Sequence, residues 1–194
     1  EEGISASQLS SKYIDAYFED SQKLGIRPAD VHPKATDHIP EMIQLIERMI
    51  DKGIAYEVDG DIYYRIHKFL DYGKLSNRKS EDLLSGARVD IDKRKEDPRD
   101  FDLWKSVKPN EPSWSCPWGC GRPGWHIECS AMAIKHLGES IDIHAGGQDL
   151  QFPHHENEIA QSEVLTGKTF ARYWIHTAFL RIGGNRMGKS EQNF

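Results

Sequence analysis

A thiol, an imidazole and a carboxylate stand in two short segments of the second half of the chain: Cys129 in the first, His154 and Glu158 in the second. His154 and Glu158 are four residues apart, so in a helix both side chains would project from one face, a turn apart. One sulfur ligand combined with nitrogen and oxygen ligands suits zinc best. The residues therefore predict a zinc site, with one tetrahedral position left for water, substrate or a further residue.

A histidine and a glutamate at this spacing are by themselves a weak indication of metal, because most such pairs are solvated on a helix surface. The segments around these residues are a stronger indication of a metal site. Residues 121–132 and 152–162 closely resemble the zinc-site segments of the cysteinyl-tRNA synthetases, a family of class I aminoacyl-tRNA synthetases. The resemblance extends upstream through residues 25–30, 60–64 and 102–105 and reaches the end of the chain, so essentially all of it is covered.

The resemblance implies an α/β fold: part of a Rossmann-type class I synthetase catalytic domain with an inserted connective-peptide subdomain. We expect residues 1–45 to belong to the catalytic domain, residues 46–122 to form the insertion, and residues 123–194 to complete the catalytic domain with the zinc site. We also expect the chain to be an internal fragment. The family's N-terminal strand with a further zinc-binding cysteine, its His-x-Gly-His motif and its helical anticodon-reading domain are not found in these 194 residues.

The resemblance also implies the reaction. Cysteine and ATP, with Mg²⁺, form cysteinyl-adenylate, and the cysteinyl group then passes to tRNA(Cys). One zinc ion per chain would be held by Cys129, His154, Glu158 and the upstream cysteine, and would bind the substrate sulfur. Serine differs from cysteine by one atom, and a pocket that relies on shape rejects such an analogue by only about 100-fold. Discrimination of about 10⁴–10⁵ needs roughly 5.5–7 kcal/mol, which a metal–thiolate bond can supply.

Four further residues are candidates for substrate contacts. By resemblance the ring of Trp125 forms a wall of the amino-acid pocket, although it could be a core tryptophan. Asp149, with Gly147 before it, could accept from the ATP ribose or the substrate ammonium group, although it could simply cap a helix. Residues 186–190 resemble the mobile Lys-Met-Ser-Lys-Ser loop, in which Lys189 would stabilise charge on the phosphates as pyrophosphate leaves.

The remaining histidine and cysteines near these motifs are not expected to bind metal. His155 would point away from its neighbour on a helix, so we expect it to support the site or the core. Cys116 and Cys120 could form a rival cluster with Cys129, but incidental thiols fit better. Three cysteines are an odd number, which argues against a secreted disulfide framework and favours a reducing, cytoplasmic setting.

The composition of the chain limits the classes of partner that it could bind. The chain has 38% hydrophobic residues, no apolar run of membrane-spanning length and no signal-peptide pattern, so we expect no membrane association. The net charge of -6 alone would argue against nucleic acid, since Lys and Arg dominate phosphate binding. Any tRNA contact should therefore be local. The basic candidates are Arg78, Lys79, Lys93, Arg94 and Lys95. We expect a monomer.

Hydrophobic spacing predicts helices over residues 7–24 and 37–52, followed by a hairpin over 54–66 that turns at Asp59 and Gly60. Residues 73–123 are rich in charge, Pro and Gly and are predicted to be mostly loop. After them the pattern alternates: helix over residues 130–137, strand over 141–145 and helix over 154–165. This alternation indicates part of a parallel sheet, with ligands at the carboxyl end of its strands.

Two other functions remain open. The chain could belong to a cysteine:glucosaminyl-inositol ligase of mycothiol synthesis, an enzyme that resembles the synthetase and also makes cysteinyl-adenylate. It could also be a non-catalytic module stabilised by zinc. The segment around Glu158 favours the synthetase over the mycothiol enzyme.

Overall fold

The computed structural model describes residues 3–78 and 92–193. Its first helix, α1, spans Ala6–Lys23, as the periodicity predicts. The helix begins with a capping box, in which the Ser5 hydroxyl accepts from the Gln8 backbone and the Gln8 side chain accepts from the Ser5 backbone. None of its residues is buried.

The second helix, α2, spans Ile39–Asp51, also close to its predicted limits. Pro40 lies in its first turn, where no N–H is required. Its apolar stripe faces the core, and Met42, Ile46 and Met49 are fully buried. Burial of this stripe anchors α2 in the molecule.

Five antiparallel strands form the main sheet, in the order β1-β2-β3-β5-β4. They are β1 Ala55–Val58, β2 Asp61–Tyr64, β3 Phe101–Ser106, β4 Trp114–Cys116 and β5 Gly119–Pro123. The predicted hairpin is β1 with β2, and both Asp59 (φ 53°) and Gly60 (φ 83°) have the left-handed conformation that its turn needs.

The prediction that residues 73–123 are mostly loop is wrong for their second half, which supplies three strands of this sheet. Leu103 and Trp104 are consecutive and both fully buried, so β3 lacks the alternation that marks a half-buried strand. Gly121 of β5 lets its strand approach β3 closely, because an added Cβ would lie 2.2 Å from the Lys105 carbonyl oxygen. Pairing across the sheet therefore creates these strands.

The second half of the chain has the predicted helix–strand–helix order. Helix α3 spans Trp125–Leu137, β6 spans Ile141–Gly147 and α4 spans Glu156–Thr166, so α3 starts five residues earlier than predicted. Strand β7, Ala171–Thr177, follows α4 and pairs in parallel with β6. A short antiparallel pair, β8 Arg181–Ile182 and β9 Asn185–Arg186, lies after it. The chain thus has the expected α/β arrangement.

The main hydrophobic core lies between α2, the first three strands, α3 and α4, and a smaller cluster around Ile159 and Phe170 lies against β6. The Tyr64 hydroxyl joins the sheet to α4 by donating to the Ala160 carbonyl at 3.0 Å. This packing fixes α3 and α4 relative to each other, which matters because they carry the candidate ligands. The domain limits at residues 45 and 122 stay a prediction. Within the described ranges, no helix has the length and apolarity to cross a bilayer.

Candidate metal centre and active site

The structure brings the three predicted ligands together. Glu158 lies in the first turn of α4, His154 lies one turn before it, and Cys129 comes from α3. Their ligand atoms all lie within 4.8 Å of one another, and His154 Nε2 is 3.1 Å from Glu158 Oε1. His154 is 3% exposed and Glu158 is fully buried. One sulfur, one nitrogen and one oxygen donor therefore face a common, nearly dry point.

The buried carboxylate of Glu158 fits a cation. Oε1 and Oε2 lie 3.1 Å from His154 Nε2 and 3.0 Å from His144 Nε2, yet among the described residues neither oxygen has an aligned hydrogen-bond donor. Burying an ionised carboxylate that lacks aligned hydrogen-bond donors costs free energy, even with two imidazole rings beside it. A metal ion beside Oε1 would remove that cost. The role of Cys129, His154 and Glu158 as ligands stays a prediction.

The two acidic groups at this point, Glu158 and Cys129, have pKa values shifted in opposite directions. Burial acts to raise the pKa of Glu158, but its close contacts with His144 and His154 outweigh burial and lower that pKa to about 2. Burial, with the nearby negative charges of Glu158 and Glu128, raises the pKa of the Cys129 thiol to about 12. At neutral pH the carboxylate is therefore ionised, and the thiol keeps its proton until a metal displaces it.

A second group of possible ligands, His144, His155 and Glu158, also has its donor atoms within 4.8 Å of one another. It shares Glu158 with the first group and adds no other anion. His155 Nδ1 is already in contact with His176 Nε2 at 2.8 Å. The group containing Cys129 offers two anionic donors once the thiol ionises, so it suits a dication better. We therefore retain the prediction of one zinc ion per chain.

Three residues near the motifs are not expected to bind metal: His155, Cys116 and Cys120. His155 is buried, contacts His176 and belongs to the second group of possible ligands, and its supporting role stays a prediction. Cys116 Sγ donates to the Gly119 carbonyl at 2.7 Å in the turn between β4 and β5. Neither Cys116 nor Cys120 belongs to a possible metal-binding group in the described part of the chain.

Trp125 is the first residue of α3 and lies beside the candidate ligands. Its ring centroid is 4.3 Å from that of His154, and the residue is 58% exposed. The alternative that it is a core tryptophan is therefore wrong. An exposed ring against a candidate ligand is suited to form a pocket wall, which stays a prediction.

The end of β6 meets the loop after β7. Gly147 ends the strand, and an added Cβ there would lie 2.5 Å from Asp149 Oδ1, so this carboxylate would have to swing aside. Asp149 Oδ2 contacts Arg186 Nη2 at 3.3 Å, and the Arg186 guanidinium lies 3.8 Å from the Phe179 ring centroid. The turn Gln151–His155 that follows has no side-chain cap, which argues against a capping role for Asp149.

Lys189 begins a short turn, Lys189–Glu191, just after β9. The position of its side chain lies outside what the structure describes, so its contact with phosphate stays a prediction.

The basic candidates for tRNA contact divide into two groups. Arg94 forms ion pairs with Asp61 at 2.8 Å and Asp92 at 2.7 Å, and Lys95 donates to the Asp100 carbonyl at 2.8 Å. Arg94 therefore holds the 92–100 segment to the sheet through Asp61 of β2, whereas the Lys95 contact lies within that segment. Arg78 lies over the Phe152 ring. Lys93 is exposed, and Lys79 lies outside the described residues.

Sequence reasoning did not assign three histidines that lie at or near the site: His126 contacts His154, His144 contacts Glu158, and His176 contacts His155. His126 Nδ1 is 2.8 Å from His154 Nδ1, and burial, followed by the neighbouring His154, lowers the pKa of His126 to about 4. Only His126 had a signal, since it precedes Cys129 by three residues and therefore shares its helix face. The other two arrive from β6 and β7.

The chain is similar to known proteins over its whole length. It is 58% identical over 194 residues to the cysteine–tRNA ligase of Carboxydothermus hydrogenoformans and 62% identical over 197 residues to that of Symbiobacterium thermophilum, covering 100% of this chain and 42% of each relative. The ligase of Anoxybacillus flavithermus is 59% identical over 192 residues, which are 99% of this chain and 41% of that protein. The chain thus spans about two fifths of the length of these curated relatives.

A family profile agrees with these relatives. The profile described as tRNA synthetases class I (C) catalytic domain matches residues 1–194, the full length of the sequence. The chain belongs to the family of class I (C) tRNA synthetase catalytic domains.

Proposed function

We propose that the complete protein is a cysteine–tRNA ligase, which activates cysteine with ATP and transfers it to tRNA(Cys). The observation that carries this proposal is the convergence of Cys129, His154 and Glu158 on one buried point. The relatives support it, since their names state this activity. Cysteine, tRNA(Cys) and ATP with Mg²⁺ are then the substrates. We infer a cytoplasmic monomer.

The three convergent side chains would hold one zinc ion, which when bound supplies a bond to the substrate thiolate that a serine hydroxyl makes poorly. The chain's own residues then orient the substrate. The exposed ring of Trp125 would cover one side of the amino acid. Asp149, just beyond the carboxyl end of β6 and beside Gly147, would accept from the substrate ammonium or the ATP ribose.

The loop after β7 would bind the phosphates of ATP. Lys189 would place a cation near the leaving pyrophosphate, where it lowers the barrier electrostatically. In the structure Arg186 contacts Asp149. Binding of ATP at Asp149 would therefore compete with this contact and free the loop to move.

The test is cysteine-dependent exchange of pyrophosphate into ATP by the complete gene product, followed by an acceptor assay. We expect exchange with cysteine and not with serine, and charging of tRNA(Cys) but not of an amino sugar. Charging of glucosaminyl-inositol instead would identify the mycothiol-type ligase. Absence of exchange from a folded, zinc-loaded protein would leave the non-catalytic module as the answer.

The zinc affinity of this 194-residue chain, whose described metal-binding group contains the single thiol of Cys129, should rise about tenfold for each pH unit between about pH 7 and pH 9, because binding displaces that thiol's proton. The affinity rises with pH because burial raises the pKa of the Cys129 thiol to about 12, so the metal-free thiol is protonated throughout this range. Higher pH therefore favours the metal-bound thiolate. Titration against a competing chelator at several pH values measures this slope. A thiol with an ordinary pKa of about 8.5 would give a slope that flattens above that pH, and such flattening would contradict the prediction.

A further inference from the structure

The rings of His126 and His154 contact each other through their Nδ1 atoms. Their Nδ1 atoms lie 2.8 Å apart and their ring centroids 4.8 Å apart. Two nitrogens at this distance share one proton, so one ring donates and the other accepts. The other nitrogen of His154, Nε2, faces Glu158 Oε1 at 3.1 Å. The two sides of the His154 ring therefore have different neighbours.

Metal binding selects one proton arrangement of this pair. A metal needs a deprotonated ring nitrogen, and Nε2 is the nitrogen of His154 that faces the Glu158 carboxylate. The His154 proton must then lie on Nδ1 and be donated to His126 Nδ1, which leaves the His126 proton on its own Nε2. Without an acceptor at that position, a buried N–H would be left unsatisfied in the metal-binding form of His154.

Packing against neighbouring residues holds the His126 ring in place beside His154. It stands on α3 three residues before Cys129, so one helix face carries both a ligand and the partner of another ligand. Its ring packs edge-on against Phe101, with centroids 5.9 Å apart, and lies against Trp125 at 5.5 Å. These contacts restrict the rotation of the ring.

We propose that His126 is a positioning residue that fixes the tautomer and ring orientation of His154 for metal binding. This role rests on the zinc site of the proposed function. Partners of metal-bound histidines typically contribute 10–100-fold to metal affinity. Loss of the acceptor at His126 should therefore weaken zinc binding by about 10–100-fold.

The test compares two substitutions in the complete protein. His126→Leu removes the acceptor, whereas His126→Asn can place its Oδ1 near the position of Nδ1. Zinc affinity, measured by chelator competition, should fall about 10–100-fold in the leucine variant and remain within about threefold of the original in the asparagine variant. His136→Leu is the matched control, because His136 makes a similar 2.8 Å contact with His38 in the last turn of the same helix.

A second measurement does not depend on any variant. Nitrogen-15 NMR of the zinc-loaded protein should find the His154 proton on Nδ1. A proton on Nε2, or equal affinity in the leucine variant and the original protein, overturns the positioning role and leaves the proposed function intact. If the original protein binds no zinc, the proposed metal site itself is refuted and His126 loses this role with it.

Discussion

Replacing Cys129 with serine should reduce the preference of the proposed ligase for cysteine over serine from about 10⁴–10⁵ to about 100-fold, the limit for a pocket that recognises shape alone. Cys129 is the only sulfur donor in the convergent group with His154 and Glu158. A serine hydroxyl is a poor zinc ligand, so His154, Glu158 and the expected upstream cysteine would hold the ion more weakly than the complete set does. The expected loss is equivalent to about 3–4 kcal/mol of discrimination.

The measurement is kcat/KM of pyrophosphate exchange with each amino acid, together with the zinc content of the purified protein. Cys116→Ser and Cys120→Ser are matched controls, since both thiols lie on β4 and β5 and belong to no metal-binding group within the described chain. We expect both controls to keep the zinc and the preference for cysteine. A Cys129→Ser protein with unchanged discrimination would falsify the proposed selection by zinc.

The elements that could be predicted are those set by local pattern. The apolar stripe of α2 and the Asp59–Gly60 turn of the first hairpin depend on residues a few positions apart, and both have the predicted form. Likewise, His154 and Glu158 share a face because they are four residues apart. The approach of Cys129 to them was expected through the family resemblance, since spacing alone could not bring it there.

The elements that could not be predicted depend on contacts between distant segments. Strand β3 has no alternating pattern, and it is a strand because β2 and β5 pair with it on either side. The histidines around the site are similar cases. His144 reaches Glu158 from β6, and His176 reaches His155 from β7. Only the packing of α4 against the parallel strands brings these side chains together.

Gly124→Ala should have the largest effect on stability of the changes considered, about 1–3 kcal/mol, and should also weaken zinc binding. Gly124 lies between β5 and α3, where its N–H donates to the Leu103 carbonyl at 2.9 Å. An added Cβ would lie 2.3 Å from the Asp102 carbonyl oxygen and 2.9 Å from its carbon. Both atoms are backbone of β3, so they cannot move aside as a flexible side chain would.

The methyl group must therefore push the start of α3 away from the sheet. Because α3 carries Trp125, His126 and Cys129, the same displacement would shift the pocket wall, the partner of His154 and the sulfur donor together. Urea unfolding with a chelator present isolates the effect on the fold, and zinc titration measures the effect on the site. Gly188→Ala is the control for stability, since its added Cβ would have no neighbour closer than 3.8 Å. If Gly124→Ala lost stability but kept full zinc affinity, the site would tolerate movement of α3, and the rigid coupling between this helix and the metal ligands would be wrong.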